Sequence, residues 1–410
     1  MKLIRETDFL LLGAAVLMVL LGITMIYSAA FHSENEALRT AWQRQSVFAL
    51  IAILAALSIV FIPNKILYSL AYPLYAFSLL LLLMVLAWGS GGMAARWLEL
   101  GPVRLQPSEF AKITIIIALA HYLADRSRER INSPGGFLGA LCITLVPVFL
   151  VARQPDLGTA ISFGAALFPM LYWAGMRRLY IFFVISPLLS VVFAFEQLVQ
   201  TPFVFAAFII ISSVAVHFLL AKLWATIALL GVNLSAGLVT VYLWDSLRDY
   251  QQGRILTLLD PESDRQGLGW NIIQSKIAIG SGGLRGKGFL GGTQTELGYL
   301  PAKHTDFIFS VIGEELGFIG ALVVLALFAF LIARTLYIGA IVNSRFFSLI
   351  AIGLAAMMTF HVFVNVGMTI GVMPVTGLPL PFLSYGGSSL LANCLAVGLL
   401  LHIYSHRHEY

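Results

Sequence analysis

Asp306, Glu314 and Glu315 stand in the run HTDFIFSVIGEELG (304–317), where a long apolar stretch begins. A carboxylate in such a place can act as a general base, cap the first turn of a helix, or neutralise a cation. On a helix of 1.5 Å rise and 100° per residue, Glu314 and Glu315 lie about 12 and 14 Å beyond Asp306, with Glu314 about 80° round from it and Glu315 opposite. The spacing predicts that only Glu314 can share a cavity with Asp306. Acids that deep in an apolar segment need a partner or a function.

Cations accompany the acids. Arg96, Arg104, Lys112 and Arg153 each sit within a few residues of a carboxylate or a turn motif. They can form local salt bridges, which carry little energy at a surface, or together hold an anion. In MAARWLELGPVRLQPSEFAK (93–112), Pro107 suits the first position of a helix and Glu109 its first turn. Lys112, at i+3, can pair with Glu109 at the bilayer boundary, and Trp97 suits an interfacial anchor.

Two further segments have unusual backbone requirements. The stretch 254–309 holds seven glycines in the 13 residues from Gly280 to Gly292, which permits odd backbone angles and close approach of a ligand. A Walker loop fails there, because Ser281 replaces its first glycine and Gly288 follows Lys287 where Ser or Thr is required. GKGFLG (286–291) spells GxGxxG but neither follows a strand nor opens a dinucleotide-binding helix. Trp270, Ile272, Ile273, Ile277 and Ile279 offer an apolar side that argues for order in this stretch. GVMPVTGLPLPFLSYGGSS (371–389) carries three prolines and then a glycine pair. Irregular backbone of that kind is tolerated at a membrane only where protein or a water-filled cavity shields it.

The elements that must position these residues are transmembrane helices. Hydrophobic residues make up 59% of the 410-residue chain, charged residues 11%, and the mean hydropathy is +0.91. With about 20 helical residues needed to cross a bilayer, twelve spans are expected, at 9–31, 45–62, 66–88, 107–124, 136–152, 156–174, 179–197, 202–220, 223–244, 306–333, 346–370 and 385–404. The fold class is all-α and polytopic, a single transmembrane unit over 1–410 with a long extracytoplasmic loop at 245–305. Ser28, Ala29 and Ala30 imitate a signal-peptide cleavage site, but the run before them is long and more spans follow, so a retained helix is expected.

An even count puts both termini on one side. If that side is cytoplasmic, twelve of the 25 cations face inward. Seven of the other thirteen belong to the long loop, leaving six in short outer loops, which agrees with the positive-inside rule. The net charge of +5 is scattered among short loops, with no stripe for nucleic acid. His121, His217 and His361 are isolated in apolar helices and read as packing residues, and Cys142 and Cys394 as small core residues.

Read together, ARWLELGPVRLQPSEFAK, QPDLGTA (154–160), LLDPESDRQGLGWNIIQSKIAIGSGGLRGKGFLGGTQ, HTDFIFSVIGEELG and GLPLPFLSYGGSS resemble, in order and over most of the chain, the SEDS family of shape, elongation, division and sporulation proteins. The DPESD and IIQSKIAIGSGG wording is closer to its elongation branch than to its division branch. The resemblance implies a peptidoglycan glycosyltransferase that polymerises lipid II into β-1,4 glycan, with inversion, during cell elongation and shape maintenance. Asp306 matches the family's essential aspartate and would be the general base. Arg96, Lys112, Lys303 and Arg153 would meet the pyrophosphate of the leaving group, with Glu109 positioning Lys112. Trp97, Lys276, Glu314 and Ser384 complete the candidate substrate-binding set. No cofactor is certain; a divalent cation such as Mg²⁺ could bridge phosphate and carboxylate, yet no ligand cluster marks a place for it.

The implied partners are lipid II, the membrane and a single-pass class B penicillin-binding transpeptidase, with no nucleic acid. The implied location is the bacterial cytoplasmic (inner) membrane, termini inside and active face outside. The family usually has ten spans, so 179–244 is expected to hold extra helices. Two other functions compete: a lipid II flippase or other transporter, to which intramembrane Glu314 and Glu315 would belong, and a noncatalytic scaffold for the wall-synthesis complex.

Overall fold

The computed structural model describes residues 7–90, 96–101, 103–195, 202–220, 223–247, 249–264, 267–300 and 302–408. The end of the seventh expected span, residues 196 and 197, lies outside them, as do Lys2, Arg5, Lys222, Arg248 and Arg265 of the charge comparison.

A helix meets each expected span. In chain order the long helices are α1 (Phe9–Phe31), α2 (Ala41–Ile59), α3 (Ala71–Trp88), α4 (Pro107–Ala124), α5 (Pro134–Arg153), α6 (Leu157–Trp173), α7 (Arg178–Ala194), α8 (Pro202–Leu220), α9 (Leu223–Ser246), α10 (Asp249–Leu259), α11 (Leu268–Gly282), α12 (Ile308–Ile341), α13 (Arg345–Thr369) and α14 (Gly387–Ser405). Among the described residues eight helices are long and apolar enough to cross a membrane; α6, α7 and Phe203–Phe218 of α8 are apolar but shorter. The chain is a polytopic helical membrane protein. Its starts follow from local chemistry: Asp8 accepts from Leu11 N–H at 3.1 Å ahead of α1, Pro107 opens α4, and Asp156 accepts from Thr159 N–H at 3.3 Å ahead of α6. The connection before α4 is an antiparallel hairpin, β1 (Leu98–Leu100) with β2 (Val103–Leu105), in register Leu98 to Leu105.

The chain forms two compact units. The first comprises Met1–Gly175 and Asn271–Tyr410. Within it α13 and α14 have 78% and 72% of their apolar windows buried, against 22–39% for the other candidate spans, so these two run through the core. Helices such as α3 bury one side (Leu82 and Val85 fully) and leave Phe77, Leu80 and Leu83 exposed, the pattern of a helix with lipid on its outer face. Leu82, Ala111, Ile115, Val151, Ala160 and Phe163 join α3 to α6 in one cluster. The second unit, Met176–Trp270, contains the segment expected to hold extra helices. Its α7, α8 and α9 pack around Val216, Ala225 and Leu229. A polar seam runs through this bundle, Ser186 Oγ donating to Asn233 Oδ1 at 3.1 Å and Asn233 Nδ2 to Ser212 Oγ at 3.4 Å.

The long loop is largely helical, with α10, a 3₁₀ turn at Pro261–Asp264 and α11. Ile272 and Ala278 of α11 are buried, while Ile277 is exposed.

Candidate active site

Asp306 lies in a turn before α12, whose N-cap is Phe307. It precedes the N-cap, so the helical-wheel angles expected between it and Glu314 do not apply. Distant donors take three successive carbonyls of its turn. Tyr385 N–H donates to His304 O at 2.9 Å, Ser384 Oγ to Thr305 O at 2.6 Å, and Asn365 Nδ2 to Asp306 O at 3.0 Å. Ser384 Oγ in turn accepts from Leu380 N–H at 2.8 Å, and Asn365 Nδ2 also donates to Leu378 O at 2.8 Å. The proline-rich loop between α13 and α14 is thus bound to the Asp306 turn along its length. Its Gly377, at φ +74°, faces the carboxylate so closely that a Cβ there would stand 3.6 Å from Asp306 Oδ2. A side chain at that position would be strained in its backbone as well. Asp306 itself is half-buried.

Buried Gln45 of α2 closes the other end of the same loop. Its Nε2 donates to Ser384 O at 3.3 Å, and its Oε1 accepts from Gly386 N–H at 3.2 Å. Lys303 and His304 flank the turn and, with His32, Glu34 and Glu296, line a cavity of about 480 Å³. Burial lowers the pKa of Lys303, partly opposed by the charges of Glu314 and Glu315. Burial, then the neighbouring Lys303 charge, lower that of His304. Lys303 Nζ donates to Thr295 O.

Glu314 and Glu315, fully buried, face the glycine-rich loop and α1. Glu314 Oε1 accepts from Lys287 Nζ at 2.7 Å, Thr293 Oγ1 at 3.1 Å and Gln294 N–H at 3.0 Å. Glu315 accepts from Ser28 Oγ at 2.6 Å. Just beyond them α12 breaks at Gly317, φ +68°. The loop stitches the break: Phe318 N–H donates to Gly283 O at 2.8 Å and Ile319 N–H to Leu284 O at 3.2 Å, while Lys287 and Gly288 N–H reach the carbonyls of Glu314 and Glu315 at 3.0 Å. The glycines allow close approach, but what approaches is the backbone of α12, not a ligand. A Cβ on Gly282 or Gly286 would lie 2.0 or 2.1 Å from a carbonyl oxygen of that helix.

The cations singled out in the sequence beside carboxylates and turns are mostly paired. Arg96 Nη1 is 3.7 Å from Asp156 Oδ1, and its Nη2 donates to Pro155 O at 2.6 Å. Gly158, two residues past Asp156, packs against Thr376 O, so this pair adjoins the loop that walls Asp306. Trp97, partly buried, donates its backbone N–H to Ser90 O at 3.2 Å. Arg104 pairs across the hairpin with Glu99 at 3.3 Å. Lys112 Nζ donates to Glu109 Oε1 at 2.8 Å and lies 3.4 Å from His361 Nε2. Both members of that pair are buried beside a cavity of about 30 Å³ lined by Met357, Asn393 and Leu400. Arg153, exposed, sits 5.0 Å from the Phe149 ring. Lys276 is exposed and lies against Gly371.

The fold therefore gathers Asp306, Lys303, Ser384 and the Arg96–Asp156 pair around one loop. It holds Glu109 and Lys112 in the interior and Glu314 behind the glycine-rich loop. Asn365 and Gln45 were not singled out in the sequence; for Asn365 the available signal was an amide within a largely apolar helix, which is costly unless it has work to do, whereas Gln45 stands among Gln43, Arg44 and Ser46 and carried no such signal. Among the described residues no three His, Cys, Asp or Glu side chains converge as metal ligands.

Comparison with known proteins gives a consistent picture. The family model described as cell cycle protein, FtsW/RodA/SpoVE, matches residues 8–204 and 187–409. The peptidoglycan glycosyltransferase MrdB of Escherichia coli strain K12 is 39% identical over 348 residues, covering 84% of this chain and 80% of that protein. The peptidoglycan glycosyltransferase RodA of Treponema pallidum is 37% identical over 428 residues, covering 98% of each. Among solved structures, a chain from work on the structural coordination of polymerization and crosslinking by a peptidoglycan synthase complex superposes with a TM-score of 0.72 at 32% identity, covering 98% of this chain and 99% of that one. The rod shape determining protein RodA of Thermus thermophilus superposes with a TM-score of 0.64 at 28% identity, covering 98% of each.

Proposed function

The chain belongs to the SEDS family of FtsW, RodA and SpoVE cell cycle proteins and is a peptidoglycan glycosyltransferase; from that premise we propose that its substrate is lipid II and that Asp306 is its general base. In this reading Asp306 takes the proton of the acceptor sugar's 4-hydroxyl as that oxygen attacks the donor's anomeric carbon. The bond to the pyrophosphate oxygen breaks, undecaprenyl pyrophosphate leaves with the electron pair, and the configuration inverts to give a β-1,4 linkage. A base must come within about 2.6–3.2 Å of the hydroxyl it serves, so it has to be held still.

The observation that supports this best is the Asp306 turn. Its carboxylate stands on a half-buried residue beside Gly377, while three carbonyls of the same turn are fixed from outside. Arg96 and Lys303, adjoining the same loop, are the cations we assign to the charge developing on the leaving pyrophosphate. The active face is extracytoplasmic, the membrane is the bacterial cytoplasmic membrane, and the cross-linking step belongs to a class B penicillin-binding transpeptidase working alongside. Transport has less support, because Glu314 and Glu315, the acids that would carry it, are engaged by Lys287, Thr293, Gln294 and Ser28.

The test is polymerisation of purified lipid II by the full chain in lipid vesicles, with and without its transpeptidase partner. Asp306→Ala and Asp306→Asn are expected to lose roughly 10²- to 10⁴-fold in rate, the range a general base supplies. Glycan made at the wild-type rate by either variant overturns the assignment of the base. Lipid II crossing the vesicle wall without polymerisation overturns the reaction itself.

A further inference from the structure

We infer that Asn365 of α13 is a positioning residue for Asp306, setting the distance between the carboxylate and the loop wall it lies against; the inference rests on Asp306 being the base.

Asn365 is fully buried in a helix that is otherwise almost wholly apolar. Its Nδ2 has two partners, Asp306 O at 3.0 Å and Leu378 O at 2.8 Å. Both are carbonyl oxygens, which only accept, so the amide can present only its NH₂ group to them. A flipped amide would set oxygen against two oxygens. Oδ1 is thereby turned away, and it is buried with no hydrogen-bond partner.

A buried acceptor without a donor destabilises a fold and asks for an explanation. Leucine, of nearly the same size, would remove that orphaned acceptor but leave the carbonyls of Asp306 and Leu378 without the donor they share. What asparagine alone provides is the bridge: one amide joins the backbone of the base to the residue next to Gly377, whose backbone faces Asp306 Oδ2. Ser384 and Tyr385 hold Thr305 and His304, the residues before it, while Asn365 acts on Asp306 itself. With the bridge cut, the turn and the loop can separate and the base drifts from its reach to the hydroxyl, an error that reactions with fixed geometry do not tolerate.

The experiment compares wild type, Asn365→Leu, Asn365→Ser and Asp306→Asn in the lipid II polymerisation assay, with thermal unfolding measured on each. Leu82→Ala, in the cluster between α3 and α6, serves as a control for lost packing. Asn365→Leu is expected to lower kcat about 10- to 100-fold, to leave KM within about threefold, and to melt lower than wild type, since the carbonyls of Asp306 and Leu378 lose their shared donor. Asn365→Ser, whose hydroxyl carries one proton in place of two, should fall between, and it carries the test if the leucine variant does not fold. Leu82→Ala should melt lower with an unchanged kcat. The inference is overturned if the folded Asn365 variants keep wild-type kcat, or if they lose activity only in proportion to melting temperature. Full activity in Asp306→Asn would instead remove the base itself, a different failure, read from its own arm of the experiment.

Discussion

At the scale of single residues, His304 shows how the site's surroundings become a measurable property. Burial and the adjacent Lys303 charge both disfavour the imidazolium, so His304 titrates below its ordinary value of 6.5 and is neutral near pH 7. The unfolded chain then binds this proton more readily than the folded one. The resulting stability is present above the ordinary imidazole value and is lost as pH falls from there through the lower folded value. Acidification from pH 7 to 5 is expected to lower the melting temperature of the wild type, and His304→Gln, which cannot take the proton, should lose less over the same interval. Parallel curves for the two proteins would show that His304 does not carry the effect. The His304 carbonyl remains available to Tyr385 N–H in the variant, so the turn is not cut by the substitution.

Between elements, the main device is the glycine-rich loop that clasps the break in α12. Its anchor is Lys287 on Glu314, a pair with the lysine about a quarter exposed and the glutamate fully buried. Removing one partner of a buried pair leaves the other charge uncompensated, which costs about 3–5 kcal/mol in a dry interior and less where water reaches the lysine. Lys287→Met is expected to destabilise by roughly 2 kcal/mol, and Lys287→Met with Glu314→Gln by less than the two single changes together, with a coupling of about 1–3 kcal/mol. Unfolding in denaturant by all three variants closes the cycle, and simple additivity would remove the pair as the anchor. The helices themselves could be read from hydropathy, because span length and apolarity are local properties of the chain. The partners of the acids could not. Lys287 is 27 residues before Glu314 and Ser28 is 287 residues before Glu315, and glycines spaced for a ligand look the same as glycines spaced for a neighbouring helix. Asp306 could be singled out as a carboxylate at the head of an apolar run, but not the fact that it precedes its helix, since a one- or two-residue shift of a helix start decides it.

For the whole molecule, the property of most consequence is which way the larger unit faces in the membrane. Within the larger unit the helix ends that parity sends inward are tied by arginines. Arg334 Nε bonds Asp8 Oδ2 at 2.6 Å, and Arg345 donates to Arg126 O at 2.7 Å and Ala174 O at 2.8 Å, joining the ends of α4 and α6. The opposite ends carry the hairpin, the glycine-rich loop and the proline-rich loop, whose cations are paired with acids in Arg96–Asp156 and Lys287–Glu314. The positive-inside rule responds to cations in short loops near helix ends, so Arg126, Arg128 and Arg130 between α4 and α5 should be retained in the cytoplasm. Polymerisation on the outer face requires this orientation, because Asp306 lies at the end opposite those arginines. The prediction is made in a background with Cys142 and Cys394 replaced by serine. Leu297→Cys, at an exposed position of the outer loop, should react with a membrane-impermeant maleimide in intact cells. Ser127→Cys, equally exposed between α4 and α5, should react only after the membrane is opened. The reverse pattern would put the Asp306 turn in the cytoplasm, where the growing wall is out of reach, and the proposed reaction would fail with it.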